Sequence, residues 1–247
     1  MDKIKTTEKY RDQRRFWEFA GLVGYNKAIF SNELVANHII SKQWQTVVRV
    51  AELLKLGKNS KVIELGCGDG YFAKNILLNY FSRIDAYDFS ETAIAAARTR
   101  TKKITFYRED LTTYDFVKDG SWDGAFLMGF LHHVKGFAPQ IISRLARACS
   151  KVIVLEPNGD NIIRKVLESL PFYKRAGEDS FRLKEIIKMF DDNNYSLEVI
   201  YKINFIPPFL GKLFFLPMKF LEQAIESNYF LNKLCSTYVL GFKYKGI

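Results

Sequence analysis

Apolar positions along the chain alternate between short, nearly continuous runs and longer stretches with helical periodicity. Helical stretches separate most of the strand-length runs, which stand at about 61–65, 83–88, 104–110, 122–128 and 151–157. Ser90, directly before one helical stretch, is a candidate N-cap. Strands that alternate with helices predict a parallel sheet with helices on both faces, because the crossover connections cover both sides.

Further elements flank this core. Before it, a helix that we expect to end near Gly57 has one apolar face, formed by Trp44, Val47, Val48, Ala51 and Leu54. After it, two helical stretches lead to a sixth and a last strand, at about 160–170, 182–192, 196–204 and 236–245.

The segment between the last two strands is long and apolar. Within residues 205–235, one helical face is formed by Leu213, Leu216, Phe220, Leu221, Ala224 and Ile225. Pro207, Pro208 and Pro217 argue against one long helix. Three roles are open: a lid over an apolar substrate, an interfacial membrane segment, or a helix packed on the core or on a second subunit.

Positive charge is concentrated at the two ends of the chain, whose net charge is +10. Residues 1–60 hold 11 Lys and Arg against 6 Asp and Glu, and residues 201–247 hold 6 against 2. The middle, 61–200, is nearly balanced at 20 against 19. An anionic partner would explain this distribution, and so would a solvated basic surface.

Cysteine usage and hydropathy indicate the compartment. Cys67, Cys149 and Cys235 cannot all pair and are not spaced for zinc. No signal peptide is visible, and no run of about 18 uninterrupted apolar residues occurs. We therefore expect a reduced, cytoplasmic protein with no metal and no transmembrane helix. Peripheral contact at the inner membrane face is an open alternative.

A glycine-rich turn joins the first strand to the helix after it. Gly66, Gly68 and Gly70, hereafter the glycine turn, alternate strictly, whereas the dinucleotide fingerprint requires G-x-G-x-x-G. Glycine lets the backbone approach a ligand closely and adopt positive φ. Glu64, before the turn, would repel a pyrophosphate and attract an ammonium group. The spacing therefore favours S-adenosylmethionine (SAM), which carries an ammonium group, over NAD.

Polar residues or glycine close the other predicted strands as well. Asp88, Asp110, Gly129 and Glu156 all stand at strand ends. In open α/β sheets, ligands bind outside the carboxyl ends of the strands. The coincidence of these residues predicts a binding site at that edge.

Five stretches of the chain together resemble class I SAM-dependent methyltransferases, in the group that includes small-molecule and quinone-biosynthesis enzymes. They are VIELGCGDGYFA (62–73), IDAYDFSETAIAAAR (84–98), FYREDLTTY (106–114), WDGAFLMGFLHHV (122–134) and VIVLEPNG (152–159). The resemblance implies an α/β fold with a Rossmann-like seven-stranded sheet, order 3-2-1-4-5-7-6, whose last strand is antiparallel. It implies a methyltransferase domain over 43–247, with 1–42 as an N-terminal helical cover and 205–235 as a lid or insertion.

The resemblance also implies cofactor contacts near the first two strands. The glycine turn would hold the methionine part of SAM, with Glu64 near its ammonium group. Cys67, inside the turn, would be a small packing residue of that cofactor site. Asp88 would bind both ribose hydroxyls, and Phe89 would lie against the adenine.

The remaining implied contacts follow the third and fourth strands. Asp110 would accept a hydrogen bond from the adenine amino group, and the N–H of Leu111 would donate one to the ring. Met128 and Gly129 would line the sulfonium.

Candidate catalytic residues follow strands four and five. A base is needed only if the acceptor must lose a proton, and the imidazoles of His132 and His133 have a suitable pKa range. The alternative role of either histidine is packing against the following helix. Glu156 and Asn158 would face the same cleft and orient a hydroxyl or an amine. His38 is interpreted as a surface or packing residue.

The predicted function is transfer of the SAM methyl group to a small molecule, a hydroxyl on a glycan, lipid-linked or secondary-metabolite substrate. Two basic, aromatic segments, 10–30 and 205–227, suggest that this substrate is anionic and partly apolar. One alternative is RNA methylation, which the lack of an added RNA-binding domain disfavours. Another is a SAM-binding partner protein without turnover. The oligomeric state stays open.

Overall fold

The computed structural model describes residues 30 and 32–246, which contain a seven-stranded sheet in the order β3-β2-β1-β4-β5-β7-β6. The strands are β1 (Lys61–Leu65), β2 (Arg83–Asp88), β3 (Thr105–Arg108), β4 (Gly124–Met128), β5 (Lys151–Pro157), β6 (Tyr195–Ile203) and β7 (Thr237–Tyr244). β1 to β5 are parallel, and β7 is antiparallel to both β5 and β6. The predicted sheet, strand order and antiparallel last strand are confirmed.

Helices connect the strands and cover the sheet. They are α1 (Glu33–Leu53), α2 (Leu78–Tyr80), α3 (Glu91–Arg100), α4 (Ala138–Ala148), α5 (Ile162–Glu168), α6 (Pro171–Ala176), α7 (Leu183–Asp191) and α8 (Lys212–Ser227). A π-helical turn, Ala73–Leu77, leads directly into α2. Ser90 caps α3 as predicted, because its hydroxyl accepts a hydrogen bond from the N–H of Ala93 at 3.1 Å.

The sheet separates two hydrophobic cores. On one side, Ile63 of β1 belongs to a cluster with residues of α4 such as Leu145. On the other side, Val62 belongs to a cluster with Val47 and Val50 of α1. Because both faces of the strands are covered, apolar side chains fill both sides and a ligand can reach the backbone only at the strand ends.

α1 differs from the predicted helix at its end. It stops at Leu53 rather than near Gly57, and Lys55 takes a left-handed φ of 58°. It also runs unbroken through residue 42, the predicted limit of the N-terminal cover. The rest of that cover, residues 1–29 and 31, lies outside the described residues.

α8 corrects the prediction for the insertion between the last strands. Pro217 lies inside this helix, although the prolines argued against one long helix. Pro217 has no N–H, so it cannot donate a hydrogen bond to the carbonyl of Leu213, four residues earlier. Leu213 lies in the exposed first turn of the helix, where water can reach this carbonyl. The residues buried beneath the helix are Phe215 and Glu222 rather than the predicted apolar face.

Candidate active site

The glycine turn has the backbone conformation that its sequence requires. Gly66, Gly68 and Gly70 all have positive φ, at 77°, 53° and 70°. The N–H groups of Gly66 and Cys67 donate to the carbonyl of Tyr87 at 2.8 and 2.9 Å. These bonds hold the turn against the end of β2, so the two strand ends form one side of the site.

Two of these glycines have no room for a side chain. A Cβ on Gly66 would lie 2.3 Å from Cδ2 of Phe130, and one on Gly70 would lie 2.9 Å from Ala97 and Phe106. The turn is therefore packed tightly on the side away from the strand edge. Such packing leaves bare backbone as the surface that a ligand can approach.

Asp88 ties the end of β2 to the glycine turn. Its two carboxylate oxygens accept hydrogen bonds from the N–H groups of Gly68 and Ser90, both at 2.9 Å. The side chain is buried. These bonds orient the carboxylate at the strand edge, and its binding of the two ribose hydroxyls stays a prediction.

Glu64 has a buried carboxylate that is incompletely satisfied. No described residue donates a hydrogen bond to its Oε2. Burial, with the charges of Asp88 and Asp69, raises the pKa of Glu64 well above its usual range. A cationic donor would satisfy this oxygen and reverse the shift. Together with the glycine turn, Glu64 therefore fits the ammonium end of SAM.

The residues predicted around the adenine follow β2 and β3. Phe89 is half-buried at the end of β2. Asp110 accepts hydrogen bonds from the N–H and hydroxyl of Thr112, at 3.1 and 2.7 Å. Arg144 donates to the carbonyl of Leu111 at 2.7 Å, which holds this loop on the core. Their placement at the carboxyl edge agrees with the prediction, and their cofactor roles stay predictions.

Met128, Gly129 and Cys67 line the middle of the same edge. Met128 ends β4, and Gly129 follows with a φ of 64°, its N–H donating to Leu155 at 2.7 Å. A Cβ on Gly129 would lie 3.9 Å from Cε1 of His132, so backbone and imidazole are neighbours there. Cys67 is buried, and burial raises the pKa of its thiol well above the usual range. This agrees with the predicted packing role of Cys67, which stays a prediction.

His132 is held between two carboxylates. Its Nδ1 lies 2.7 Å from Oε2 of Glu156, and its Nε2 lies 3.5 Å from Oε2 of Glu178. Glu156 is fully buried and also accepts from the N–H of Leu131 at 2.7 Å. Burial alone would lower the pKa of His132, but the two carboxylates outweigh it and raise that pKa to about 10.

This geometry bears on two predicted catalytic assignments, which stay predictions. The raised pKa of His132 favours a protonated imidazole at neutral pH, which weighs against a role as base. Glu156 accepts hydrogen bonds from the N–H groups of Leu131 and His132 and pairs with the His132 ring, so it also holds this loop. Asn158 is also buried. Its side-chain amide donates a hydrogen bond to the carbonyl of Cys235 at 2.7 Å rather than toward the predicted cleft.

The ion pairs of His132 predict a pH dependence of stability. Its folded pKa, about 10, exceeds the unfolded value near 6.5. The group therefore contributes its full stabilisation below about pH 6.5, and loses it as pH rises through about 10. We expect His132→Gln to be less stable than the native protein at pH 6, and this gap in unfolding free energy to shrink by a few kcal/mol at pH 10. The size follows from about 1.4 kcal/mol for each unit of pKa difference. Urea unfolding at both pH values measures this, and a constant difference would contradict it.

His133 has the opposite electrostatic character. Its ring centroid lies 3.8 Å from that of His132, and the side chain is half-buried. Burial and the positive charges of His132 and Arg164 lower the pKa of His133 well below its usual range, against the opposing effect of Glu178. The lowered pKa favours a neutral imidazole at physiological pH, which is the protonation state that a base requires.

The structure adds residues that the sequence did not identify. Glu178 pairs with both His132 and Arg164 from the segment after α6. Burial would raise the pKa of Glu178, but these cations hold it well below its usual range. Phe130 packs on Gly66. Glu178 lies outside the five stretches, and the contact between Phe130 and Gly66 joins two of them that are far apart in sequence, so neither contact leaves a local pattern.

The comparisons with known proteins agree with this geometry. Residues 62–152 match the family model described as a methyltransferase domain. The malonyl–acyl-carrier protein O-methyltransferase of Bacillus anthracis is 42% identical over 67 residues. That alignment covers 23% of this chain and 24% of the relative, so the chain matches only about a quarter of the relative's length.

Solved structures resemble the chain over nearly its whole length. Magnesium protoporphyrin IX methyltransferase from Synechocystis PCC 6803, crystallised with SAM, has a TM-score of 0.59 at 16% identity, covering 94% of this chain and 97% of that chain. The cyclase SpnF has a TM-score of 0.62 at 12% identity, covering 96% of both chains. These likenesses show the fold, and this fold is found in enzymes of more than one reaction.

Proposed function

We propose that the chain, whose core is a class I SAM-dependent methyltransferase domain, transfers the methyl group of SAM to a hydroxyl of a small molecule. The observation that supports the proposal is the position of the half-buried His133 in the turn that follows β4, in ring contact with His132, together with a lowered pKa that favours its neutral form. SAM supplies an electrophilic methyl group on its sulfonium. The protein's part is to align the acceptor, exclude water and take the hydroxyl proton.

The residues divide this work among them. Glu64 and the glycine turn would hold the amino-acid end of the cofactor, and Asp88 its ribose. The proton of the acceptor would pass to an imidazole nitrogen of His133. His132, paired with Glu156 and Glu178, would be the cation that lowers the pKa of His133 and would hold the loop in place.

A groove between α1 and α8 fits the predicted acceptor. It has a volume of about 1140 Å³ and is lined mainly by polar residues, which include Glu33, Lys212 and Lys219, together with the apolar side chains of Leu34 and Phe215. α1 also reaches the glycine turn, because Trp44 packs on Tyr71 with ring centroids 5.8 Å apart. The groove therefore suits an acceptor with an anionic part and an apolar part, such as a lipid-linked molecule.

The cofactor assignment is tested through Asp88. Asp88→Ala is expected to weaken SAM binding at least tenfold, about 1.4 kcal/mol, because it removes the ribose carboxylate and releases the glycine turn. Titration calorimetry with SAM and with NAD measures this. Glu52→Ala, an exposed acid on α1, is the matched control and should leave the affinity unchanged. Unchanged SAM affinity of the Asp88 variant, or a preference for NAD, would overturn the assignment.

Transfer itself is tested with labelled SAM and candidate acceptors. We expect label to enter hydroxylated, anionic lipid-linked or glycan acceptors and not RNA. Transfer to RNA would support the alternative methylation of nucleic acid. SAM binding without transfer to any acceptor would favour a binding protein or another reaction on this fold.

A further inference from the structure

α8 presents a broad apolar face to solvent. Two of its residues, Leu213 and Phe220, are 84% and 81% exposed. At 3.6 residues per turn, roughly half of its circumference is apolar and faces outward. This face is formed by Leu213, Phe214, Leu216, Phe220 and Leu221, all more than half exposed.

Hydrogen bonds hold the opposite side of α8 on the protein, and they fix the outward orientation of the apolar face. Glu222 is 1% exposed and accepts hydrogen bonds from His38 and Lys42 of α1, both at 2.6 Å. It also accepts from the N–H groups of Phe205 and Ile206, at 3.0 and 3.2 Å. Turning the apolar face inward would break these charge-assisted bonds and bury an unpaired carboxylate.

The apolar surface continues beyond the helix. The chain after α8 exposes Tyr229, Phe230, Leu231 and Leu234. This stretch is joined to the start of α5 by a hydrogen bond from Asn161 to the carbonyl of Leu234, at 2.8 Å. There, Ile162 and Ile163 are exposed in turn. A surface of this extent marks a contact site for another molecule or for a membrane.

The outward-facing charges of the segment 205–235 itself are of one sign. Glu222 and Glu226, the acids of the segment 205–235, are both turned onto Lys42 beneath α8. The lysines of the segment, Lys212, Lys219 and Lys233, are all exposed. The surface therefore combines apolar side chains with outward cations, as in helices that lie in the interface of an anionic membrane.

We propose that α8 and the exposed stretch after it, residues 212–234, dock on the surface of an anionic lipid bilayer. No helix in the described part of the chain has the length and hydropathy to cross a bilayer. A second copy of the chain is a poorer occupant, because a two-fold contact over this face would bring the outward lysines of the two copies together, and both acids of the segment are turned onto Lys42. The proposal does not depend on the reaction proposed above.

Docking would also place the groove at the lipid surface. Lys212 and Lys219 line the groove between α1 and α8 as well as flanking the apolar face. A docked helix would therefore turn one wall of the groove toward the headgroups. An acceptor with an apolar anchor could then enter the groove without leaving the bilayer.

Vesicle sedimentation of the full chain, without SAM or acceptor, tests this surface. We expect sedimentation with phosphatidylcholine–phosphatidylglycerol vesicles at low salt and at least tenfold weaker binding to phosphatidylcholine alone. Leu213→Ser with Phe220→Ser should weaken binding at least tenfold while the melting temperature stays unchanged, because both side chains are exposed. Leu53→Ser, on the far end of α1, is the matched control at an exposed leucine and should bind as the native protein does.

Charge reversal provides a second readout. Lys212→Glu with Lys219→Glu should remove the preference for anionic vesicles, and added salt should weaken binding of the native protein. Three results would overturn the proposal: no vesicle binding, equal binding to neutral and anionic vesicles, or unchanged binding of the Leu213 and Phe220 variant. A dimer in light scattering that the same variant dissociates, without vesicle binding, would assign the surface to a second copy.

Discussion

Gly66→Ala is expected to weaken SAM binding more than a hundredfold, about 2.7 kcal/mol. It should also lower the free energy of unfolding by about 2 to 4 kcal/mol, from left-handed strain and from overpacking. The φ of 77° causes the strain, and the new Cβ would meet the ring of Phe130 at 2.3 Å. Phe130 leads into the loop of His132 and His133, so its displacement disturbs both sides of the site. Titration calorimetry and urea unfolding measure the two effects.

Two variants isolate the cause of the Gly66→Ala effect. Gly57→Ala is the matched control, because a Cβ there has no atom within 4 Å, and it should change neither quantity. Adding Phe130→Ala to Gly66→Ala relieves the clash but not the backbone strain, so the double-mutant cycle should show a favourable coupling of about 1 kcal/mol or more. A coupling of zero would contradict the steric account.

His133→Ala is expected to lower kcat roughly 100-fold, as loss of a general base does, while the Kd for SAM stays unchanged. The native rate should fall on the acidic side only well below pH 6.5, because the pKa of His133 is lowered. That acidic limb should be absent from the variant. Rates of labelled methyl transfer across pH, with an acceptor found in the screen, measure both features.

His132→Ala is the comparison for this variant. It should lower stability and leave an acidic limb in place, because the raised pKa of the buried His132 favours a cation paired with Glu156 and Glu178. An unchanged kcat for His133→Ala would show that the acceptor needs no base. It would contradict the hydroxyl assignment and favour an acceptor that attacks without losing a proton first.

The sheet could be predicted from the chain because its signals are local. β1 and β2 were predicted at their observed bounds, since apolar runs closed by Glu64 or Asp88 mark strand ends directly. Strand order and the antiparallel last strand came instead from the resemblance, because pairing between distant strands leaves no local pattern.

The candidate site was predictable in part for the same reason. Glu64, the glycine turn and Asp88 stand next to strand ends, so their place in the sheet follows from the strands. The state of the two histidines was not predictable, because it depends on Glu156 and Glu178, 24 and 46 residues from His132. Burial and these charges make one imidazole a cation and the other neutral.

The insertion between β6 and β7 also separates what the sequence determines from what the tertiary structure decides. Sequence alone determined that α8 has an apolar side and two lysines, because helical periodicity is a property of neighbouring residues. Only the tertiary structure decided which side faces outward, because four hydrogen bonds to Glu222 from α1 and the chain before α8 outweigh the tendency of the apolar face to turn inward. Local pattern thus determined the elements and the turn, while long-range pairing of buried charges decided protonation and exposure.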